Sequence, residues 1–386
     1  MSNPAILIVL GAYFPEISGG GLQARELIRA LRDRLRFTVL TTSSVADETG
    51  SVDGIDVVRI LVDIGSLRSI VRALGQGLRQ VFFLRRSFNV MHLEGFTRKN
   101  IPLTFAAAVL RKPIVLTLHT GVHDDVRRIK AQSRLGFWSI TRARTIVAVS
   151  PALRDAAIEA GVPAGQIRYL PNGVDVTRFS PVDAETRAAI RRRLFIPPET
   201  RAILFVGFFS HEKGPQRLFA AWRGLPAPLR QASTLIFVGQ TTRPHGEVDP
   251  ILADNIRREA AAIGATPIFV ERTHEIEQYY RAADLFVLAS TREGCPVALL
   301  EAMSSGLPVI STHLPGATDM IVSDGINGRL VPAGDVDGLR KALARILTDT
   351  DGAAQMASRA RDTVENTFSV AQTAQAYLEI YQAVSA

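Results

Sequence analysis

The sequence predicts an α/β protein with two parallel-sheet domains, on three observations. Its 386 residues exceed what one compact core accommodates and suit two domains of ordinary size. Short β-like runs alternate with helical stretches, the pattern of parallel strands joined by crossover helices. The alternation pauses once, over 175–200, and then resumes.

In the first block the strand-like runs are AILIVL, FTVLTT, VMHLEG, PIVLTLH and TIVAVS. In the second they are AILFVG, STLIFVG, PIFVE, DLFVLAS and LPVIST. Most are continuous apolar runs, as expected of strands covered on both faces. Between the blocks, DVTRFSPVDAETRAAIRRRLFIPPET holds no convincing strand and contains Pro197-Pro198, which places a linker near 176–198. The expected division is 1–178 for the first domain, 199–365 for the second and 366–386 for a last helix with an apolar face.

The hydrophobic fraction of 47% is that of a folding chain, and no apolar run reaches the roughly 18 residues of a membrane span. The start, MSNPAILIVLGAYF, lacks the basic leader of a signal peptide, and AILIVLG reads as a first buried strand. A single cysteine, Cys295, excludes intrachain disulfides and Cys-rich zinc sites. A cytoplasmic location is expected.

The net charge of +8 is unevenly spread. Residues 1–180 hold 24 Lys and Arg against 14 Asp and Glu, while the rest hold 21 against 23. Two stretches, 64–88 and 127–144, contain basic residues and no acidic ones. The first sets Leu67, Val71, Leu74, Leu78, Val81 and Phe82 at helical spacing among five arginines. Such a helix suits peripheral contact with an anionic membrane; the alternative is an ordinary surface helix with a solvated charged face. No nucleic-acid motif accompanies the charge, so no nucleic-acid partner is expected.

The most informative stretch is Arg292–Ile310, REGCPVALLEAMSSGLPVI. It reads as the loop and helix between two buried strands, with Glu293 and Glu301 near the carboxyl end of the first, where open α/β sheets place ligands. With its neighbours this segment resembles the retaining glycosyltransferases of family 4, which have the GT-B fold. The matching residues are Glu293, Gly294, Glu301, Ala302, Met303, Gly306, Pro308 and Val309. Further matches are YFPEISGGGLQARELIRAL, VLTLHTG, YLPNGVD, FVGFFSHEKGP, YRAADLFVLAS and DGINGRLVPAGD, in the family's order.

The resemblance implies two Rossmann-like domains facing across a cleft, with the last helix crossing back to the first domain. It implies a metal-independent retaining transfer of a hexose or related sugar from a nucleotide-diphosphate sugar, with no cofactor. The acceptor side belongs to the basic first domain, which favours a glycan or lipid-linked acceptor. By the same resemblance Lys213 lies against the donor diphosphate, Glu301 accepts from the ribose hydroxyls and Glu293 orients the transferred sugar. The amides of Cys295 and Val297, on either side of Pro296, face sugar and phosphates, beside Gly294. Gly20 and Gly21, which open a helix after the first strand, let backbone approach a phosphate. His119, after PIVLTL, is expected near the reacting carbon, and Arg272 near the donor base.

The sequence departs from the family at Phe208, where an arginine is usual; His211, Arg272 and Arg292 are the candidate substitutes. Glu94 stands second in the family's H-x-H place after His92, where it is read as facing an acceptor hydroxyl. Asp335 and Asp337 form a D-x-D, read as helix-start residues and not as a metal site. Two other readings stay open: a non-catalytic GT-B relative that binds a partner, and a nucleotide-sugar epimerase or phosphorylase.

Overall fold

The computed structural model describes residues 4–14, 16, 18–43, 50–63, 65–121, 124–241, 248–271 and 273–385. In chain order the first elements are β1 (Ala5–Leu10), α1 (Gly19–Leu31), β2 (Arg36–Ser43), β3 (Gly50–Val52), β4 (Ile55–Leu61) and α2 (Leu67–Phe83). Then come β5 (Val90–Glu94), α3 (Asn100–Val109), β6 (Ile114–Leu118), α4 (Val126–Gln132), α5 (Arg134–Thr141), β7 (Thr145–Ala148), α6 (Pro151–Glu159) and β8 (Ile167–Tyr169). The second half runs α7 (Ala184–Arg193), β9 (Arg201–Val206), α8 (Pro215–Arg223), α9 (Ala227–Gln231), β10 (Ser233–Val238), α10 (Pro250–Ala261) and β11 (Ile268–Val270). It continues through α11 (Ile276–Ala282), β12 (Leu285–Leu288), α12 (Val297–Ser304), β13 (Val309–His313), β14 (Arg329–Pro332), α13 (Val336–Thr348) and α14 (Thr350–Thr367) to the last helix, α15 (Val370–Ser385).

These elements form two compact units, Met1–Gly173 with Val370–Ala386, and Val174–Ser369. The sheet of the first unit has strand order β3-β4-β2-β1-β5-β6-β7-β8, parallel except for the β3–β4 pair. Every residue of β1 is buried, because helices cover both faces of a parallel sheet. Ile6, Ile8 and Leu10 meet Leu27, Ile28 and Leu31 of α1, and Tyr377, Leu378 and Tyr381 of α15 join the same core. Each such side chain contributes about 1.5–3 kcal/mol through its burial.

The second unit has the order β11-β10-β9-β12-β13-β14, and all its pairs are parallel. Its core gathers Phe205, Phe209, Phe237, Leu218, Trp222 and Leu343. In both sheets the winding direction reverses once, between β1 and β5 and between β9 and β12. Such a reversal opens a crevice at the strands' carboxyl ends, where ligands of open α/β sheets bind.

The segment expected to be a linker is part of the second unit. It carries α7, whose Arg187 donates to the carbonyl oxygen of Ala283 and to Asp284, both at 2.8 Å. Arg191 reaches Asp284 at 3.1 Å. Burial alone would raise the Asp284 carboxyl, but Arg187, the Ala202 amide and Arg191 outweigh it and hold it below its usual range. The second unit thus begins at Val174, not at 199, because an ion-pair network ties the intervening helix to it.

Candidate active site

The second unit assembles its polar residues at the β9–β12 reversal. The loop 207–214 leaves β9 and the loop 289–296 leaves β12, side by side. Gly214 has φ +77°, and a Cβ there would strike the carbonyl oxygen of Ala289, so only glycine permits this approach. Arg217 staples the loops, donating to Ala289 O at 3.1 Å and to the carbonyls of His211 and Glu212 at 2.8 and 3.0 Å. Thr291 N donates to Glu212 O at 2.8 Å. Backbone contact between the two loops therefore determines where their side chains meet.

Lys213 Nζ lies 2.8 Å from Glu293 Oε1; Lys213 is 31% exposed and Glu293 9%. The carboxylate holds the ammonium in place while one side of it stays open to solvent. Glu301 sits a turn into α12, and its Oε2 accepts from the Tyr280 hydroxyl at 2.8 Å. Tyr280 is fully buried. Burial first, and Glu301 second, push its hydroxyl well above the ordinary tyrosine value, so it keeps its proton and acts as a donor. Nothing in the sequence reading pointed to Tyr280 as the group that orients Glu301.

Pro296 stands at the cap of α12, one residue before the helix rather than in its first turn. The amides of Leu299 and Leu300 both turn back to Pro296 O, at 3.2 and 3.3 Å. Val297 and Ala298 are first-turn residues whose N–H groups have no helix carbonyl. Gly294 is buried, as is the Cys295 side chain. Of the substitutes for the cation missing at half-buried Phe208, Arg292 donates to Glu212 Oε1 at 2.6 Å. His211 lies 3.3 Å from Asp249, and Arg272 lies outside the described residues.

Replacing Tyr280 by Phe removes the bond that orients Glu301, worth about 1 kcal/mol. Affinity for a nucleoside diphosphate should fall roughly fivefold by titration calorimetry. Unchanged affinity would mean that Glu301 needs no such support.

The first unit builds a separate cluster at its own reversal. Ser18 caps α1 and takes the Gly21 N–H at 3.0 Å; a Cβ at Gly21 would come 2.6 Å from Ala12 O. Gly21 is thus glycine for close packing, and its amide serves the cap instead of an incoming phosphate. A Cβ at Gly20 would lie 3.7 Å from the His119 ring, so Gly20 and His119 are neighbours.

His119 Nε2 lies 2.6 Å from Glu94 Oε2. Glu94 is only 3% exposed, so this carboxylate addresses His119 and is not open to an acceptor hydroxyl, which corrects the sequence expectation. Burial works against both charges but is outweighed: His92, 3.5 Å from Glu94 Oε1, and then His119 hold Glu94 below its usual range, while Glu94 holds His119 above. His92 is buried between the Tyr381 hydroxyl at 2.7 Å and Thr117 Oγ1 at 2.8 Å. Burial pushes its imidazole down, against the pull of Glu94. Asp124, unnoticed in the sequence, accepts from the amides of Phe96, His119 and Thr120 at 2.6, 2.7 and 3.0 Å. It thereby fixes the backbone at the end of β6. A cavity of about 10 Å³, lined by Gln23, Glu94, His119, Asn172, Thr373 and Tyr377 among others, is about the size of one water molecule.

Asp335 accepts from Gly338 N at 2.8 Å, and Asp337 pairs with Lys341 at 2.7 Å. These are helix-start contacts of α13. Among the described residues no three His, Cys, Asp or Glu side chains gather as a metal site.

Two family models match the chain, "Glycosyltransferase Family 4" over residues 17–178 and "Glycosyl transferases group 1" over 186–363. The putative teichuronic acid biosynthesis glycosyltransferase TuaC of Bacillus subtilis is 28% identical over 293 residues, 74% of this chain and 69% of that protein. The D-inositol 3-phosphate glycosyltransferase of Xylanimonas cellulosilytica is 30% identical over 226 residues. That alignment spans 57% of this chain and 52% of the relative. Among solved structures, Anabaena Alr3699/HepE in complex with UDP-glucose aligns with TM-score 0.80 at 22% identity, over 98% of this chain and 100% of that one. Two reversal points dressed with the family's residues, and two matches in the family's order, lead to one assignment: the chain belongs to the family 4 glycosyltransferases of the GT-B fold.

Proposed function

We propose that the protein is a metal-independent, retaining glycosyltransferase that moves a hexose or related sugar from a nucleotide-diphosphate sugar to an anionic, glycan or lipid-linked acceptor. The observation that carries this reading is the Lys213–Glu293 contact at the β9–β12 reversal, with Glu301 held by Tyr280 alongside. Breaking the bond between the anomeric carbon and the diphosphate leaves negative charge on the leaving oxygen. The Lys213 ammonium and the first-turn amides of α12 are the groups suited to stabilise it. Glu301, acceptor-only when ionised, suits the two hydroxyls of a ribose. Glu293 exchanges part of its contact with Lys213 for hydroxyls of the transferred sugar.

Glu293 and Glu301 are both engaged, so neither is an evident covalent nucleophile. In the proposed course the acceptor oxygen attacks the face from which the diphosphate departs. The diphosphate oxygen takes the acceptor proton, so bond and proton balance without a second base. An acidic acceptor fits the basic excess of residues 1–180 and the names of the relatives, one linked to teichuronic acid and one to D-inositol 3-phosphate. A cytoplasmic site suits a chain whose single cysteine forms no intrachain disulfide.

Membrane contact belongs to the same proposal. Helix α2 buries Ala73, Gly77 and Val81 and leaves Leu67, Val71, Phe82 and Phe83 exposed among arginines. An ordinary surface helix turns its large apolar side chains inward; this one turns several outward. The second stretch is less open, since Arg127 pairs with Glu159 and Lys130 donates to Ala160 O.

The test is a panel of nucleotide sugars, UDP-glucose first, turned over in the presence of a chelator, with the product's anomeric configuration read by NMR. One donor turned over with retention supports the proposal. Inversion, or activity abolished by the chelator, overturns the mechanism, and binding of no donor favours a non-catalytic relative.

A further inference from the structure

One lysine of the first unit has no role assigned so far. Lys99 follows β5 and stands at the start of α3, and its Nζ lies 3.0 Å from Thr42 Oγ1. The Thr42 hydroxyl donates to Gly11 O at 2.7 Å, so its lone pairs are what Lys99 meets. A Cβ at Gly11 would lie 3.8 Å from Lys99 Nζ. Gly11 directly follows β1, and Thr42 is near the end of β2. The ammonium is therefore suspended over the carboxyl end of β1, flanked by β2 and β5, at the winding reversal of this sheet.

Its described surroundings supply no counter-charge. Among the described residues no carboxylate pairs with Lys99, and burial, the only cause acting on it, pushes the ammonium down to about 8. An ammonium carries three donors, and a threonine hydroxyl occupies one. A cation drawn out of water without a counter-charge is costly, and such costs concentrate where a ligand supplies the missing charge. Arg127 and Arg29, by contrast, are matched by Glu159 and Asp53.

We propose that Lys99, with the Thr42 hydroxyl, is the anion-recognising element of the acceptor site and binds a phosphate or carboxylate of the acceptor at the carboxyl end of β1. This rests on the reading that the first unit holds the acceptor. Lys213, Glu293 and Glu301, read as donor-binding, all belong to the other unit. The surface lysines serve as internal controls.

The chain has five lysines, Lys99, Lys112, Lys130, Lys213 and Lys341, few enough to resolve individually by NMR with ¹³C-labelled lysine. Lys99→Arg, which keeps the charge, assigns the Lys99 signal by its loss. The full-length protein is titrated with inorganic phosphate, and separately with acetate, and no turnover is required. The Lys99 signal should shift saturably with phosphate, and its titration midpoint should rise from about 8 toward the ordinary value. Lys112, Lys130 and Lys341 should stay in place, and Thr42→Val should weaken the response severalfold with the Lys99 signal still visible. Saturation by acetate but not phosphate would make the recognised group a carboxylate. A Lys99 signal unmoved by either anion, or all five moving together, overturns the proposal, leaving Lys99 a structural tie to Thr42. Because Lys213 is read in the same spectra, failure of the donor reading and failure of this one are seen separately.

Discussion

Replacing Lys213 with alanine should lower kcat by about 10²–10³-fold, the usual cost of removing one preorganised group that stabilises developing negative charge. The effect should fall mainly on kcat, because the charge it answers grows as the bond to the diphosphate breaks. Phe208 leaves no charged side chain in the family's second place, and Arg292 is committed to Glu212. Lys213→Arg should recover little. A guanidinium is a planar fork, whereas the site holds a point-like ammonium 2.8 Å from a carboxylate that is 9% exposed. Single-turnover measurement of donor cleavage separates chemistry from release, and an unchanged melting temperature shows that the fold is intact. A rate within threefold of the wild type would remove Lys213 from the proposed mechanism.

The second large effect is expected at Glu94. In the wild type His119 binds its proton more tightly when folded, so its contribution to stability is full below its ordinary value of 6.5 and is lost as pH rises through the higher folded value. Glu94 is the reverse case: its contribution is present above 4.5 and is lost as pH falls through the lower folded value. The pair therefore supports the fold most between those two values. In Glu94→Gln nothing opposes the burial of His119 strongly, since Asp124 ranks behind Glu94 among the groups that raise it. The His119 ring signal should titrate below 6.5 instead of above. Stability near pH 6 should fall by about 2 kcal/mol, since a buried charge loses its partner but the imidazole can shed its proton, which is roughly 4–8 °C in melting temperature. Where turnover requires the imidazolium, the alkaline limb of the rate profile should move to lower pH. A His119 titration unchanged in Glu94→Gln would show that Glu94 does not govern the charge of the ring.

Much of this was legible in the amino-acid sequence, and for a definite reason. A parallel strand covered on both faces must be apolar along its length, so AILIVL, PIVLTLH and DLFVLAS announce themselves. The ten strands expected are all present, and both sheets are parallel as read, apart from the β3–β4 pair. Missed were β3, β4, β8 and β14. They lie at or near the sheet edges, where one side is solvent and residues such as Asp56, Arg59 and Arg168 interrupt the apolar run. The helix α7 was passed over as linker because its contacts are ionic: Arg187 and Arg191 look like a solvated charge run until Asp284, about ninety residues on, comes beside them.

By itself the sequence determined the fold class, the family and the residue types of the site, because these follow from local apolar pattern and from motifs contiguous in the chain. Only the tertiary structure decided which groups meet. Lys213 and Glu293 are 80 residues apart, and Glu94 and His119 are 25 apart. Their pairing depends on which strands lie side by side. The same dependence turned Glu94 from an open carboxylate into the partner of His119. It also made Tyr280 the support of Glu301 and left Lys99 without a counter-charge among its described neighbours. Local sequence cannot carry that information, since sheet order is set by long-range packing and each of these contacts is made across it.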